Sequence, residues 1–409
     1  MSMVMILRCS KAITLGIFMT PKIITGLETL MDHPPDNLWR KRLGLLSNPA
    51  SLHRDFRHAK DLTHHFFPGQ LTALFSPQHG FYAEKQDNMV ESGHFMEPGL
   101  NIPVFSLYNE TRIPTKKMFD EIDVLLIDIQ DVGTRVYTFI YTISYCLETA
   151  KKYNKPVIIL DRPNPIGGLQ VEGNLLIKDW ASFVGRFPIP MRHGLTVGEI
   201  SQLFNREFGI HADLTIIPMK NWKRHMYWQD TGLVWIPPSP NLPTPQSCMV
   251  YPGQVIFEGT NISEGRGTTL PFEQFGAPFL DTEKIKFEAE TLIKGAFLRP
   301  VHFEPTSGKW QGQACKGFQI HITSKEEYNS YLSSLILMQL MLKHHPHEFK
   351  FKEPPYEYEF ERLPMDLLLG SKTIREKIVA LEDPVRLSDQ WQDELNAFIS
   401  LSRKYYLYD

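Results

Sequence analysis

The chain has 409 residues and carries 43 Lys and Arg against 46 Asp and Glu, a formal net charge of −3. No basic block interrupts that balance, which argues against nucleic acid or an anionic lipid surface as the main partner. With 42% hydrophobic and 22% charged residues, the composition is that of a globular protein long enough for two or three domains.

From the N-terminus, Met1 to Thr20 is mildly apolar, but Arg8 and Lys11 split the run and no clean small-residue cleavage site follows. Residues 1–22 therefore read as an extension ahead of the folded part, with a degenerate signal segment as the alternative. Short Val/Ile/Leu-rich runs come next. They predict strands at Arg42–Ser47, Leu71–Ser76, Pro103–Tyr108, Ile122–Asp128, Val157–Asp161 and Asp213–Met219. None alternates strictly, as expected for strands covered on both faces. Helical stretches fall between them. Tyr137–Tyr153 is the longest, and Thr196–Phe208 opens with Thr196 and Glu199 in capping-box spacing. This alternation predicts an α/β fold with a doubly wound, mostly parallel sheet. Six prolines between Pro237 and Pro252 predict an ordered loop without regular structure across Trp235–Gly276. A second α/β segment follows, with helices near Thr282–Gly295 and Glu326–Lys343 and a strand near Gly317–Thr323. Pro384–Tyr405 again has helical periodicity. No segment after the N-terminus has about 18 uninterrupted apolar residues, so no membrane span is expected.

The four cysteines, Cys9, Cys146, Cys248 and Cys315, are far apart and have no CxxC or zinc spacing. They read as buried free thiols of a reducing compartment, which favours a cytoplasmic location; a periplasmic or secreted one follows if the N-terminus is a signal. The histidines lack HExxH-type spacing, so no metal site is expected.

Chemistry gathers where the predicted strands end, the place where open parallel sheets bind ligands. The tips carry Asn48; Gln78 and His79; Ser106 and Tyr108; Asp128, Gln130, Asp131, Arg135 and Tyr137; and Asp161, Arg162 and Asn164. Any one of these is ordinary turn chemistry. Five such tips together predict a polar rim suited to hydroxyls and amides. No GxGxxG follows the first strand and no GxxxxGK[ST] occurs, so NAD- and ATP-dependent chemistry is set aside. Two further segments look chemical. One is Met191-Arg192-His193-Gly194; the other is Glu258–Thr269, where glycines interleave with Glu258, Asn261, Glu264 and Arg266.

The strings SNPAS (47–51), DIQDVGTRVYTF (128–139), LDRPNP (160–165), PIPMRHG (188–194), PPSPN (237–241, ending in Asn241) and EGTNISEGRGTT (258–269) together resemble the exo-β-N-acetylmuramidase family from about Gly26 to the C-terminus. The resemblance implies a Rossmann-like domain, bounded here as 23–235, and an active-site loop segment with a smaller α/β domain over 236–409. It implies removal of terminal N-acetylmuramic acid from the non-reducing end of peptidoglycan fragments or muropeptides, without a cofactor. One position departs from the pattern. The family has Pro-Glu-His-Gly at the second strand tip, its Glu being the proposed acid, whereas this chain has Pro77-Gln78-His79-Gly80. An amide cannot donate the proton that a leaving oxygen needs. Glu84, six residues on, is the expected replacement acid. Glu264 or Asp128 is the expected second carboxylate, and Arg135, Arg162, Arg192 or Arg266 the expected partner of the lactyl carboxylate. The alternative is a muropeptide- or amino-sugar-binding protein that has lost hydrolysis through Gln78.

Overall fold

The computed structural model describes residues 22–86 and 89–409; most of the expected N-terminal extension lies outside them. Each of the six expected strands forms, within a residue or two of its expected ends: β1 (Leu43–Ser47), β2 (Leu71–Ser76), β4 (Ile102–Ser106), β5 (Val124–Asp128), β6 (Val157–Leu160) and β7 (Leu214–Ile217). A seventh, β3 (Phe95–Glu97), pairs antiparallel with β4 at the sheet edge. It has three residues, two of them exposed, and so leaves no apolar run to find.

The order is β3-β4-β2-β1-β5-β6-β7, with every pair but the first parallel. Without the β3 edge this is the Rossmann order, and its switch point falls between β1 and β5. Successive strand residues point to opposite faces. Leu43 and Leu45 enter a core with Leu27 and Leu30 of helix α1 (Gly26–Asp32) and Leu62 of α2 (Ala59–Phe66). Leu46 enters the opposite core, with Phe119 of α3 (Lys116–Asp120), Ile140 of α4 (Phe139–Lys152) and Leu203 of α5 (Val197–Glu207). Each such leucine contributes about 1.5–3 kcal/mol by leaving water, which explains why the strands read as continuous apolar runs. The Thr196–Glu199 capping box forms as its spacing predicts and starts α5.

The Pro-rich segment departs from expectation. Pro245–Gln254 forms helix α6, with Thr244 capping it, Pro245 in its first turn and Pro252 inside it. Tertiary packing decides this. Gly253 lies so close to Ser330 that a Cβ would collide with the Ser330 carbonyl. The Ser330 hydroxyl accepts from Gly253 N at 2.9 Å and donates to Val250 O at 2.8 Å. Ser330 opens α8 (Ser330–His344), and α7 (Thr282–Leu292) precedes it. Beside them lies a second sheet of three antiparallel strands, ordered β8-β10-β9 from β8 (Gln274–Ala277), β9 (Ala296–Phe303) and β10 (Cys315–Ile322). Strands β8 and β9 are additions to the sequence reading. The C-terminal periodicity resolves into Pro384–Asp389 and Gln392–Ser402.

One apolar core runs through both parts, joining Phe75 and Ile127 of the large sheet to Phe275 and Phe318 of the small one and to Leu335 of α8. That continuity fixes the C-terminal loops against the strand tips. Cys146, Cys248 and Cys315 are buried and unpaired. Among the described residues no helix is long and apolar enough to cross a membrane.

Candidate active site

The carboxyl ends of β2, β4 and β5 meet a turn from the C-terminal part. After β2, Gln78 and His79 line a small cavity that continues into a wider opening of about 420 Å³, within the range usual for small-molecule sites. The Gln78 Nε2 amide donates to Glu357 Oε1 at 3.1 Å across 279 positions of chain. Its Oε1 accepts from the Thr138 hydroxyl, at the start of α4, at 2.6 Å. Tyr108, two residues past β4, donates to Glu357 Oε2 at 2.6 Å. Two tips thus grip one carboxyl group, and Thr138, beyond the third, holds Gln78 in place.

Glu357 sits in an unusual turn. Tyr356 and Glu359 exchange both backbone hydrogen bonds at 2.9 Å, and the two residues between them have φ of +47° and +65°. Turns of this left-handed kind favour Gly, Asn or Asp. Glu and Tyr carry a steric penalty there, of order 1–3 kcal/mol each. The turn aims Glu357 inward, where it is 6% exposed. Arg112 stacks 3.8 Å from the Tyr358 ring and 4.9 Å from that of Tyr108, backing both neighbours of the carboxyl. Burial pushes the Glu357 carboxyl up, against the hydrogen bonds from Tyr108 and Gln78. Among the described residues it makes no ion pair.

The other carboxylates of the cleft are ionic. Glu258 meets Arg266 at 2.6 Å and accepts from Tyr356 Oη at 2.6 Å. Glu264 meets Lys309 at 2.8 Å and Arg266 at 3.2 Å. Burial alone would raise Glu264, but Lys309 and Arg266 outweigh it and hold the group at about 2. Glu258 and Arg266, with Asn241 and Tyr356, belong both to the cavity and to a wider opening beside it, which Glu264, Lys309 and Lys352 also line. The loop carrying these residues needs its glycines. At Gly265, with φ +83°, a Cβ would collide with the Gln274 carbonyl, and at Gly267, with φ +75°, with that of Ser307. Tyr137, Tyr251 and Phe272 supply aromatic surface to the cavity.

Of the sequence candidates, Gln78, His79, Tyr137, Asn241, Glu258 and Arg266 line the cavity and Glu264 its opening. The others do not line it. Glu84 is exposed, and its carboxylate folds back over Gly80. Asp128 is buried in a two-pronged pair with Arg162, at 2.5 and 2.8 Å. Arg135 donates to the carbonyls of Asn174, Ile189, Leu368 and Leu369, tying the two parts of the chain together. Arg192 pairs with Glu172 at 2.5 Å. Asn48 donates to Gln130 O, and Gln130 to Pro163 O, so these tips brace each other. Asp131 accepts from Gly133 N, and its carboxylate lies 3.7 Å from His193, whose Nδ1 accepts from Leu195 N. Asp161 accepts from Gly198 N, Thr196 Oγ1 and Tyr408 Oη. Asn164 donates to Leu195 O, and Asn261 binds Glu348 O and Lys350 N. Glu84 apart, the physical reason is shared: a polar side chain inside a well-packed structure must be hydrogen-bonded, and these find protein partners.

Glu357, Thr138, Tyr251, Tyr356, Phe272 and Lys309 also line the site or support it, and none is among the sequence candidates. The available signal was Tyr356-Glu357-Tyr358, a carboxylate between two aromatics just after Pro354-Pro355.

A Rossmann-ordered sheet without a phosphate loop, whose cleft combines aromatic faces, ion-paired carboxylates and one buried carboxyl outside those pairs, defines a carbohydrate-active α/β enzyme rather than a nucleotide-dependent one. Residues 43–246 match the N-terminal and residues 249–408 the C-terminal model of exo-β-N-acetylmuramidase NamZ, and the chain belongs to that family. It is 40% identical to the peptidoglycan β-N-acetylmuramidase NamZ of Bacillus subtilis (strain 168) over 95% of this chain and 92% of that protein. Two solved structures of DUF1343 family proteins from Bacteroides fragilis share the fold. One has a TM-score of 0.84 at 35% identity, the other 0.74 at 27%; each comparison covers 95% of this chain and 99% of the other.

Proposed function

We infer that the chain is an exo-acting glycosidase that removes terminal N-acetylmuramic acid from the non-reducing end of peptidoglycan fragments. The observation that carries this is the 40% identity to the Bacillus subtilis relative, which spans both parts of the chain and so both walls of the cleft. The cleft suits the task. Tyr137, Tyr251 and Phe272 offer faces for a sugar ring, and Asn241 and Ser239 offer hydrogen-bonding groups. Of the four arginines considered for the lactyl carboxylate, Arg266 lines the cavity, and we assign it that contact. Water enters as the second reactant, and Glu258 and Glu264, paired with Arg266 and Lys309, provide negative charge against the oxocarbenium-like carbon. Three buried free thiols support the placement in a reducing, cytoplasmic compartment.

The test is product analysis on two defined disaccharides. Free N-acetylmuramic acid should appear from β-linked N-acetylmuramyl-N-acetylglucosamine, and nothing from the disaccharide with N-acetylglucosamine at its non-reducing end. Release from the second, or from neither, would defeat the assignment.

A further inference from the structure

We propose that Glu357 is the catalytic proton donor of this chain, standing in for the carboxyl that Gln78 has lost. The inference rests on the glycosidase reading and names the group that reading requires. Three independent features point to it. Glu357 reaches the strand tip that carries Gln78 and touches the side chain at that position. It lines the same cavity, so it is placed to meet a glycosidic oxygen there. It is also held by a turn whose two central residues, Glu357 and Tyr358, both have positive φ, a conformation that glycine or asparagine would adopt more easily. A turn that carries such strain and buries a carboxyl outside any ion pair among the described residues has a use for that carboxyl.

The neighbours set its proton affinity. Facing it are the hydroxyls of Tyr108, Tyr251, Tyr356 and Tyr358, the Glu258 carboxylate, the Arg112 guanidinium, the Arg266 guanidinium already engaged by Glu258, and the His79 ring. Burial and Glu258 favour the neutral form; Tyr108, Gln78 and Arg112 oppose them. The neutral amide at position 78 matters here. A glutamate in its place would put two carboxyls about 3 Å apart, and such a pair shares one proton. With Gln78 the proton has a single owner.

In the reaction the Glu357 proton passes to the glycosidic oxygen as the C1–O bond breaks, and the leaving alcohol keeps the bonding electron pair. Water supplies the hydroxyl gained at C1, and its remaining proton restores the Glu357 carboxyl. Water and glycoside thus become two alcohols with no further reactant.

Glu357→Gln and wild type are compared on N-acetylmuramyl-N-acetylglucosamine and on the 4-nitrophenyl glycoside of N-acetylmuramic acid. Nitrophenolate leaves without protonation, so an acid is needed only for the disaccharide. The expected result is a kcat/KM loss of about 10²–10⁴-fold on the disaccharide and a much smaller loss on the aryl glycoside. Equal losses on both, or no loss, overturn the proposal. Tyr108→Phe gives a second readout. It removes one hydrogen bond to the ionised form, so the alkaline limb of the pH profile of kcat/KM should move to higher pH; an unmoved limb also overturns the proposal. Wild type inactive on both glycosides is a different outcome, which refutes the glycosidase reading itself.

Discussion

Replacing Arg162 by Met separates a structural strand tip from a substrate-binding one. Arg162 and Asp128 are 3% and 0% exposed, and the guanidinium holds the carboxylate by bonds of 2.5 and 2.8 Å while also donating to Leu52 O at 3.1 Å. Arg162→Met leaves the Asp128 charge buried and uncompensated, a change that costs about 3–5 kcal/mol. At about 1.4 kcal/mol per factor of ten, the unfolding equilibrium moves by roughly 10²- to 10³-fold or slightly more. Removing both partners in Asp128→Asn/Arg162→Met should recover much of that loss, because the stranded charge goes too. Urea midpoints for the four proteins of this cycle give the stability terms, and KM for the muramyl disaccharide is measured on the folded variants. The expected pattern is a lowered midpoint for Arg162→Met, partial recovery in the double variant and an unchanged KM. A midpoint equal to wild type together with a KM raised tenfold or more would refute the structural role and return Arg162 to the substrate.

Two further expectations follow from the same geometry. Glu84→Gln should keep wild-type kcat/KM on the disaccharide, because the carboxylate is exposed and turned over Gly80 rather than into the cavity; a loss of 10²-fold or more would show that Glu84 enters the site. Glu264 is held at about 2, below its ordinary 4.5, by Lys309 and Arg266 against the opposing effect of burial. A depressed carboxyl contributes stability above its unfolded value and loses it as pH falls through the folded one. Wild type should therefore weaken between pH 4.5 and about 2 more steeply than Glu264→Gln, as followed by thermal melting at fixed ionic strength; parallel curves would contradict the pairing.

Local sequence determined the large sheet. The runs at 43–47, 71–76, 124–128 and 157–160 are mostly apolar up to their polar tips because each strand is covered on both faces, and that burial is written residue by residue. The Thr196–Glu199 cap is equally local, since both partners lie within one helical turn. Helix α6 was not legible, because its prolines speak against it and the compensating contact, Ser330, comes from another helix. The loop 258–269 could be read as functional because its close-packed glycines and its charged side chains lie side by side in the chain.

Tertiary structure alone decided which polar tips face the cavity and which face each other. Asp128 and Gln78 look alike as strand-end residues. One meets Arg162 inside the protein, and the other meets Glu357 at the cavity wall. No periodicity encodes that choice: it depends on where backbones 34 and 279 residues apart come to rest. Burial of a side chain is a property its own segment can announce. The partner that satisfies a buried carboxyl is set by the packing of the whole chain.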